Sequence, residues 1–147
     1  MTAESVLNRF EQAGGGRDNK LVLGGSVESE TGQNLKTKLV TVAIGDISDA
    51  SSVWVVPGVA GTIVGISNVI DTTITTADAG LTFEIGGNVV TDGDITIAFS
   101  GSLPGTVDQS TPTALNVITA SEAIEIVKDG LSTVASNGVV TFEILPS

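Results

Sequence analysis

The chain has no histidine, no cysteine and no tyrosine among its 147 residues, and it has only one tryptophan and four phenylalanines. Without histidine, catalytic triads and general-base mechanisms that depend on imidazole are excluded. Without cysteine, zinc sites built from thiolates are excluded. The sequence also gives no indication of whether the protein works in an oxidising or a reducing compartment. We therefore expect a protein that is not an enzyme, that uses no cofactor, and whose function depends on its shape and attachment.

Long apolar runs are also missing. The most apolar stretch, residues 53–66, is interrupted by Pro57, Gly58, Gly61 and Gly65, so it does not fit a membrane-spanning helix. The first residues lack the basic region followed by an apolar region that marks a secretory signal. We expect no membrane partner, and no secretory signal is visible.

Positive charge is scarce and unevenly placed. Twelve carboxylates after position 38 are balanced only by Lys128, so this part of the chain carries the whole net charge of −11. Such acidity argues against nucleic-acid binding and favours solubility at high local density. The other five basic residues precede position 39 and are Arg9, Arg17, Lys20, Lys36 and Lys38. This division predicts a near-neutral N-terminal arm, residues 1–38, and an acidic body, residues 39–147.

The arm has one short amphipathic stretch. In residues 2–13, Val6, Leu7 and Phe10 share a face at helical spacing, and three glycines follow. A helix this short is marginal alone in water, so a helix that docks on a surface and a frayed, disordered terminus both remain open. Residues 17–37 are polar and indicate an extended linker.

The body alternates apolar and polar residues with a period of two, which is typical of half-buried strands. Turn signals recur every eight to twelve residues, for example Gly86-Gly87 and Asn137-Gly138. The pattern predicts an all-β fold, an antiparallel β-sandwich that is jelly-roll-like or immunoglobulin-like. We expect a central strand at 62–70, a loop or weak strand at 71–79, and a long loop at 100–121 holding a short strand at 115–118. The remaining strands are expected at 39–44, 53–56, 81–85, 88–90, 95–99, 122–127, 131–135 and 139–145.

Acidic residues are the only candidates for site chemistry. Glu84, Glu125 and Glu143 alternate with apolar neighbours, which indicates a solvated sheet face and not the carboxylate pair of a glycosidase. Short acidic turns offer oxygen ligands for calcium, but their spacing matches no defined loop, and turn chemistry explains Asp before Gly. We therefore predict no metal site. These turns contain Asp46 with Asp49 and Asp92 with Asp94, and Asp71 or Asp78 is a further candidate ligand.

Trp54 is the single tryptophan, and its neighbours Val53 and Val55 point to the opposite sheet face. We expect most aromatic residues at inward positions and Trp54 in the core or in a subunit interface. A rival interpretation is a carbohydrate- or ligand-binding module, which requires an exposed Trp54.

Five segments of the body together have a distinctive style. They are residues 80–87 (GLTFEIGG), 94–97 (DITI), the Gly/Pro/Thr-rich loop 100–113, 123–126 (AIEI) and 139–144 (VVTFEI). With these segments, the chain from about residue 53 to residue 145 resembles the small capsid decoration, or cement, proteins of tailed bacteriophages. The resemblance covers roughly two thirds of the chain and is one of style, a short sandwich rich in Gly, Thr and Val with few aromatics.

The resemblance implies a structural virion protein on the outer surface of the capsid, often a homotrimer, whose partner is the major capsid protein and which has no small-molecule substrate. Such proteins often hold the shell by an extended terminus, and the arm is suited to that role. Another virion part, such as a head fibre base, a tail protein or a head-completion protein, remains open. The residues expected to contact the capsid are Val6, Leu7, Arg9, Phe10, Arg17, Lys20, Lys36 and Lys38.

Overall fold

A computed structural model describes residues 36–147, which form ten β-strands and no helix. The bounds follow the alternation in the sequence closely, because each long strand buries one side chain in two. The strands are β1 (Lys38–Asp46), β2 (Ser52–Val55), β3 (Gly61–Ile70), β4 (Ala79–Ile85), β5 (Asn88–Val89), β6 (Ile95–Ile97), β7 (Val107–Ser110), β8 (Val117–Ile118), β9 (Ile124–Lys128) and β10 (Asn137–Pro146).

The strands form two antiparallel sheets. The first sheet has the order β1-β10-β3-β7, with β8 also paired to β3, and the second has the order β2-β9-β4-β5, with β6 also paired to β4. The predicted antiparallel β-sandwich is confirmed. The first four strands alternate between the two sheets, and β1 pairs with β10, the last strand. This strand order is that of the jelly roll and not that of the immunoglobulin fold, the two topologies that the sequence left open.

The core lies between the sheets and is built mainly from isoleucine. In β4 the side chains alternate between buried and half-buried, as the sequence predicts. Phe83 and Phe142, from opposite sheets, meet edge to face with ring centroids 5.5 Å apart. Full burial of each such side chain stabilises the fold by about 1.5–3 kcal/mol.

The predicted central strand is confirmed. β3 pairs with β10 on one side and with β7 and β8 on the other, and none of its residues is exposed. Its pairing with β10 shifts register between Glu143 and Ile144, where the partners change from Gly65 to Ile63. Val64 is the extra residue of this bulge.

Two strand predictions need correction. The strand expected at residues 131–135 is wrong, because Leu131 is exposed and its N–H is donated to the Asp129 carboxylate. Ser132 and Val134 also bond to each other, and such local bonds compete with sheet pairing. In contrast, the loop expected at 100–121 contains β7 in addition to the short strand β8 that was predicted within it.

The expectation that the aromatic residues lie mostly inward is only partly right. Phe83 and Phe142 are buried, but Trp54 is 60% exposed and Phe99 is 46% exposed. Trp54 points outward because Val53 and Val55, its neighbours on β2, pack against the core. A core position for Trp54 is therefore wrong.

Residues 37–147 form one compact unit. The predicted helix at residues 2–13, and the arm as far as residue 35, lie outside the described residues and stay predictions. Within residues 36–147, no helix is long and apolar enough to cross a membrane.

Candidate functional site

The arm residues expected to contact a partner lie mostly outside the part of the chain that the structure describes. Lys36 and Lys38 are described, and both are exposed. Lys38 begins β1, opposite Ile144 of β10. The residues that lie outside are Val6, Leu7, Arg9, Phe10, Arg17 and Lys20.

The outer side of the first sheet carries almost no charge. Its residues stand in rows across the strands: Thr41 pairs with Thr141, Thr141 with Ser67, and Ser67 with Gln109. Glu143 is the only charged residue of this surface, which we call the low-charge face. The low-charge face consists of Leu39, Thr41, Ala43, Thr62, Val64, Ser67, Val69, Val107, Gln109, Val117, Val139, Thr141, Glu143 and Leu145.

Several apolar side chains of the low-charge face are open to solvent. Leu39 is 69% exposed, Val117 is 68% exposed and Val107 is 52% exposed. A shallow groove of about 230 Å³ runs across the middle of the face, between Leu39 and Gln109. The low-charge face is thus apolar in part and almost uncharged, although the chain is strongly acidic. Such a surface is suited to burial against another protein.

The outer side of the second sheet is different. Trp54 on β2 pairs with Glu125 on β9, and Glu125 pairs with Glu84 on β4, so an indole and two carboxylates stand side by side. They line a groove of about 240 Å³. This surface, the Trp54 groove, is lined by Trp54, Glu84, Gly86, Gly87, Glu122, Ala123 and Glu125.

The carboxylates of the Trp54 groove are not neutralised by the body. Both residues pair through their backbones, but neither the Glu84 nor the Glu125 carboxylate has a hydrogen bond or an ion pair with any described residue. Lys128, the only basic residue after Lys38, is 5% exposed, and its Nζ donates to the Asp46 carbonyl at 2.7 Å. Like charges that face each other across two strands destabilise a sheet. The Glu84–Glu125 pair therefore adds nothing to the stability of the fold.

The acidic turns considered for calcium fasten loops. Asp46 accepts hydrogen bonds from the Ser48 N–H and Oγ and from the Ser136 N–H, and the bonds from Ser48 are the main reason that its pKa lies below the ordinary value. Asp92 accepts a bond from the Thr113 hydroxyl, and Asp78 accepts one from the Phe99 N–H at 2.8 Å. The Asp46, Asp78 and Asp92 carboxylates thus each have a structural partner.

No three acidic side chains within residues 36–147 come together in a way that would hold a metal ion. Asp46, Asp78 and Asp92 lie in separate turns, where each carboxylate accepts hydrogen bonds from its own neighbours. The prediction that the chain uses no metal stays a prediction for the whole protein.

Sequence reasoning placed Glu84 and Glu125 on a solvated face but did not join them to Trp54. The three residues lie on strands far apart in the chain, and the pairing register alone brings them into one row. The signal in the sequence was the alternation of each strand, which puts all three on outward positions. The sequence does not indicate which strands are neighbours in the sheet.

The sequence matches no model of a known protein family and no curated protein. Its fold is similar to several solved structures. CsCBM6-3 from Clostridium stercorarium, in complex with cellobiose, is 15% identical, with 90% of this chain and 91% of that chain covered and a TM-score of 0.45. A chain of the cyanophage Pam1 capsid asymmetric unit is 17% identical, with 88% and 95% covered and a TM-score of 0.39.

A third similar structure is the nucleoplasmin-like N-terminal domain of Drosophila FKBP39. It is 11% identical, with 76% of this chain and 93% of that chain covered and a TM-score of 0.33. These likenesses leave the function open.

Proposed function

We propose that this protein is a structural component of a phage virion, a decoration protein that binds the outer surface of the assembled major capsid protein lattice and stabilises the head. The observation that carries the proposal is the low-charge face. The body has a net charge of −11 after position 38, yet the outer side of the first sheet presents threonine, valine and leucine with Glu143 as its only charge. Such a face is suited to contact with another protein.

The proposed interface combines the low-charge face with the arm. Four strands about 4.8 Å apart, with about eight residues rising about 3.4 Å each, give a footprint of roughly 500 Å². A stable protein interface buries about 800 Å² on each partner. In this proposal the low-charge face supplies one part of the interface, and residues 1–38 supply further contact area.

In this proposal the arm supplies two kinds of contact. Val6, Leu7 and Phe10 are apolar anchors, and the basic side chains meet acidic groups of the shell. Ordering an extended segment costs about 1–2 kcal/mol per residue, which offsets much of the gain from its contacts. A homotrimer would compensate, because each arm after the first binds at high effective concentration. The basic side chains are Arg9, Arg17, Lys20, Lys36 and Lys38.

The jelly roll is compatible with this function without selecting it. The fold serves both viral capsid proteins and lectins, so the assignment depends on surfaces and not on topology. The proposal includes no catalytic step, and the absence of histidine and cysteine excludes the nucleophilic mechanisms that depend on either residue.

A truncation tests the role of the arm. The full chain and a chain of residues 37–147 are mixed with purified undecorated capsids, and the bound protein is measured by sedimentation and densitometry. We expect the truncated protein to fold, as judged by its β-sheet circular dichroism and cooperative melting, and to lose capsid binding. If the truncated protein decorates capsids as fully as the intact chain, the arm is not the attachment element.

A further inference from the structure

The Trp54 groove has no part in the proposed attachment to the shell, since it lies on the sheet opposite the low-charge face. It is formed by one row of side chains on three adjacent strands, Trp54, Glu125 and Glu84. With strands about 4.8 Å apart, the row extends roughly 10 Å from the indole to the far carboxylate. The indole is 60% exposed, so its face is open to a ligand.

The ends and floor of the groove are kept open by small residues. Gly86 and Gly87 form the turn between β4 and β5, with φ values of 58° and 78°. Two positive φ values are those of a type I′ turn, where larger residues are strained. Ala123 adds only a methyl group. Glu122 is held in place because its carboxylate accepts the Thr119 N–H at 3.2 Å. The resulting volume, about 240 Å³, lies just below the range of about 300–1,000 Å³ for drug-sized ligands and suits a single ring.

The chemistry of the lining restricts the ligand. Carboxylates only accept hydrogen bonds, and the indole N–H only donates, so a ligand beside Glu84 and Glu125 must present donors. No basic side chain of residues 36–147 lines the groove, so its carboxylates repel phosphates, sulfates and acidic sugars. The ligand also needs a flat apolar side to cover the indole.

We propose that the Trp54 groove binds a neutral saccharide. One sugar ring stacks its C–H face on the indole of Trp54, and hydroxyl groups at the rim of the ring donate to the carboxylates of Glu84 and Glu125. A sugar ring combines these two requirements in one rigid unit. A lysine or arginine side chain from a partner would satisfy the carboxylates, but a single indole offers it only one aromatic wall, where cages for cations use several. The inference does not depend on a virion location.

Tryptophan fluorescence of the full chain tests the inference directly. Trp54 is the only tryptophan, so any change in emission reports on the groove. The probes are neutral disaccharides with β and α linkages, and separately arginine amide as the cationic probe. Each is titrated to roughly 10 mM, well above a dissociation constant of 1 mM, at low and at high salt. We expect a saturable change with at least one disaccharide, unaffected by salt because the ligand is neutral.

Variants distinguish binding of a disaccharide from binding of arginine amide. Trp54→Ala, measured by calorimetry, should lose disaccharide binding at least tenfold, whereas Phe99→Ala, which removes an exposed aromatic outside the groove, should keep it. The double change Glu84→Gln with Glu125→Gln keeps hydrogen-bond acceptors, so disaccharide binding should fall only a few fold.

Three outcomes overturn the proposal. The first is that no disaccharide changes the emission. The second is that binding persists in Trp54→Ala. The third is that arginine amide alone binds, weakens with salt and is lost in the double glutamine variant, which would make the groove a site for a basic peptide. None of these results bears on capsid attachment.

Discussion

Asp71 shows how a single carboxylate can link two strands. It follows β3 and accepts hydrogen bonds from Asn137, at the start of β10, through the backbone N–H at 2.9 Å and the side-chain Nδ2 at 2.8 Å. Thr72 and Ser136 donate their hydroxyls to the same group. These bonds, that from the Asn137 side chain first, hold the pKa of Asp71 below its ordinary value.

We expect Asp71→Asn to lower the melting temperature at pH 7 and to have less effect in acid. Because the pKa of Asp71 is lower in the folded state, its contribution to stability is present above the unfolded value of about 3.9 and is lost as the pH falls through the folded value. The difference in melting temperature between the wild type and Asp71→Asn should therefore narrow below about pH 4. A difference that is the same at pH 7 and in acid would contradict this role.

Asp108 is predicted to behave in the opposite way. Its Oδ2 is buried, and so is the side chain of Asn68, its neighbour across β3 and β7, and none of these side-chain atoms has a hydrogen-bond partner within residues 36–147. Burial raises the pKa of Asp108. Its charged form therefore destabilises the fold at neutral pH, and the penalty disappears when the group is protonated in acid.

Asp108→Asn should raise the melting temperature at pH 7, and the gain should vanish below about pH 4, where Asp108 is protonated in the wild type. The same thermal melts that test Asp71 serve for this variant. A loss of stability at pH 7 would mean that the charged carboxylate has a favourable partner.

At the scale of elements, alternation was informative where a strand buries one face. β1, β4 and β10 are such strands, and inward residues of β4 and β10, for example Leu81 and Val140, are buried as a period of two requires. β7 has the sequence Val-Asp-Gln-Ser, which contains no apolar alternation. It is a strand because β3 supplies an edge to pair with, and a partner's edge cannot be read from local sequence.

The candidate surfaces follow the same logic. The outward positions of Glu84, Glu125 and Glu143 were foreseen, but the low-charge face and the Trp54 groove depend on which strands are neighbours. Trp54 was expected in the core or in a subunit interface because a large aromatic side chain is usually buried in one or the other. Its position on β2, between two inward valines, is what leaves it exposed.

The low-charge face gives a prediction with a matched control. Val139 on β10 is 41% exposed on this face, and Val89 on β5 is 45% exposed on the second sheet. We expect Val139→Lys to weaken capsid binding about tenfold or more, since an unpaired charge would be buried in the interface. Val89→Lys should leave capsid binding unchanged.

Both lysine variants should melt near the wild type, because substitutions at exposed sites usually change stability by less than about 0.5 kcal/mol. Binding is measured with the same sedimentation assay as the truncation. If Val139→Lys binds capsids as well as Val89→Lys does, the low-charge face is not buried on the shell.

At the scale of the whole molecule, most of the net negative charge lies apart from the surfaces that we propose to contact the capsid. The body carries the net charge of −11, the basic residues before position 39 fall in the proposed arm, and one sheet face is left almost uncharged. Net charge of one sign keeps a protein soluble and apart from its copies until a specific surface is available. A decoration protein requires that behaviour, since many copies must stay apart in solution and gather on the lattice.

The most direct test of the decoration role is the copy number in purified particles. Quantitative mass spectrometry would compare this chain with the major capsid protein of the same particles. The proposal predicts near-equimolar amounts of the two chains. A few copies per particle would contradict it in favour of a neck, vertex or tail position, and absence from the particles would remove the virion assignment altogether.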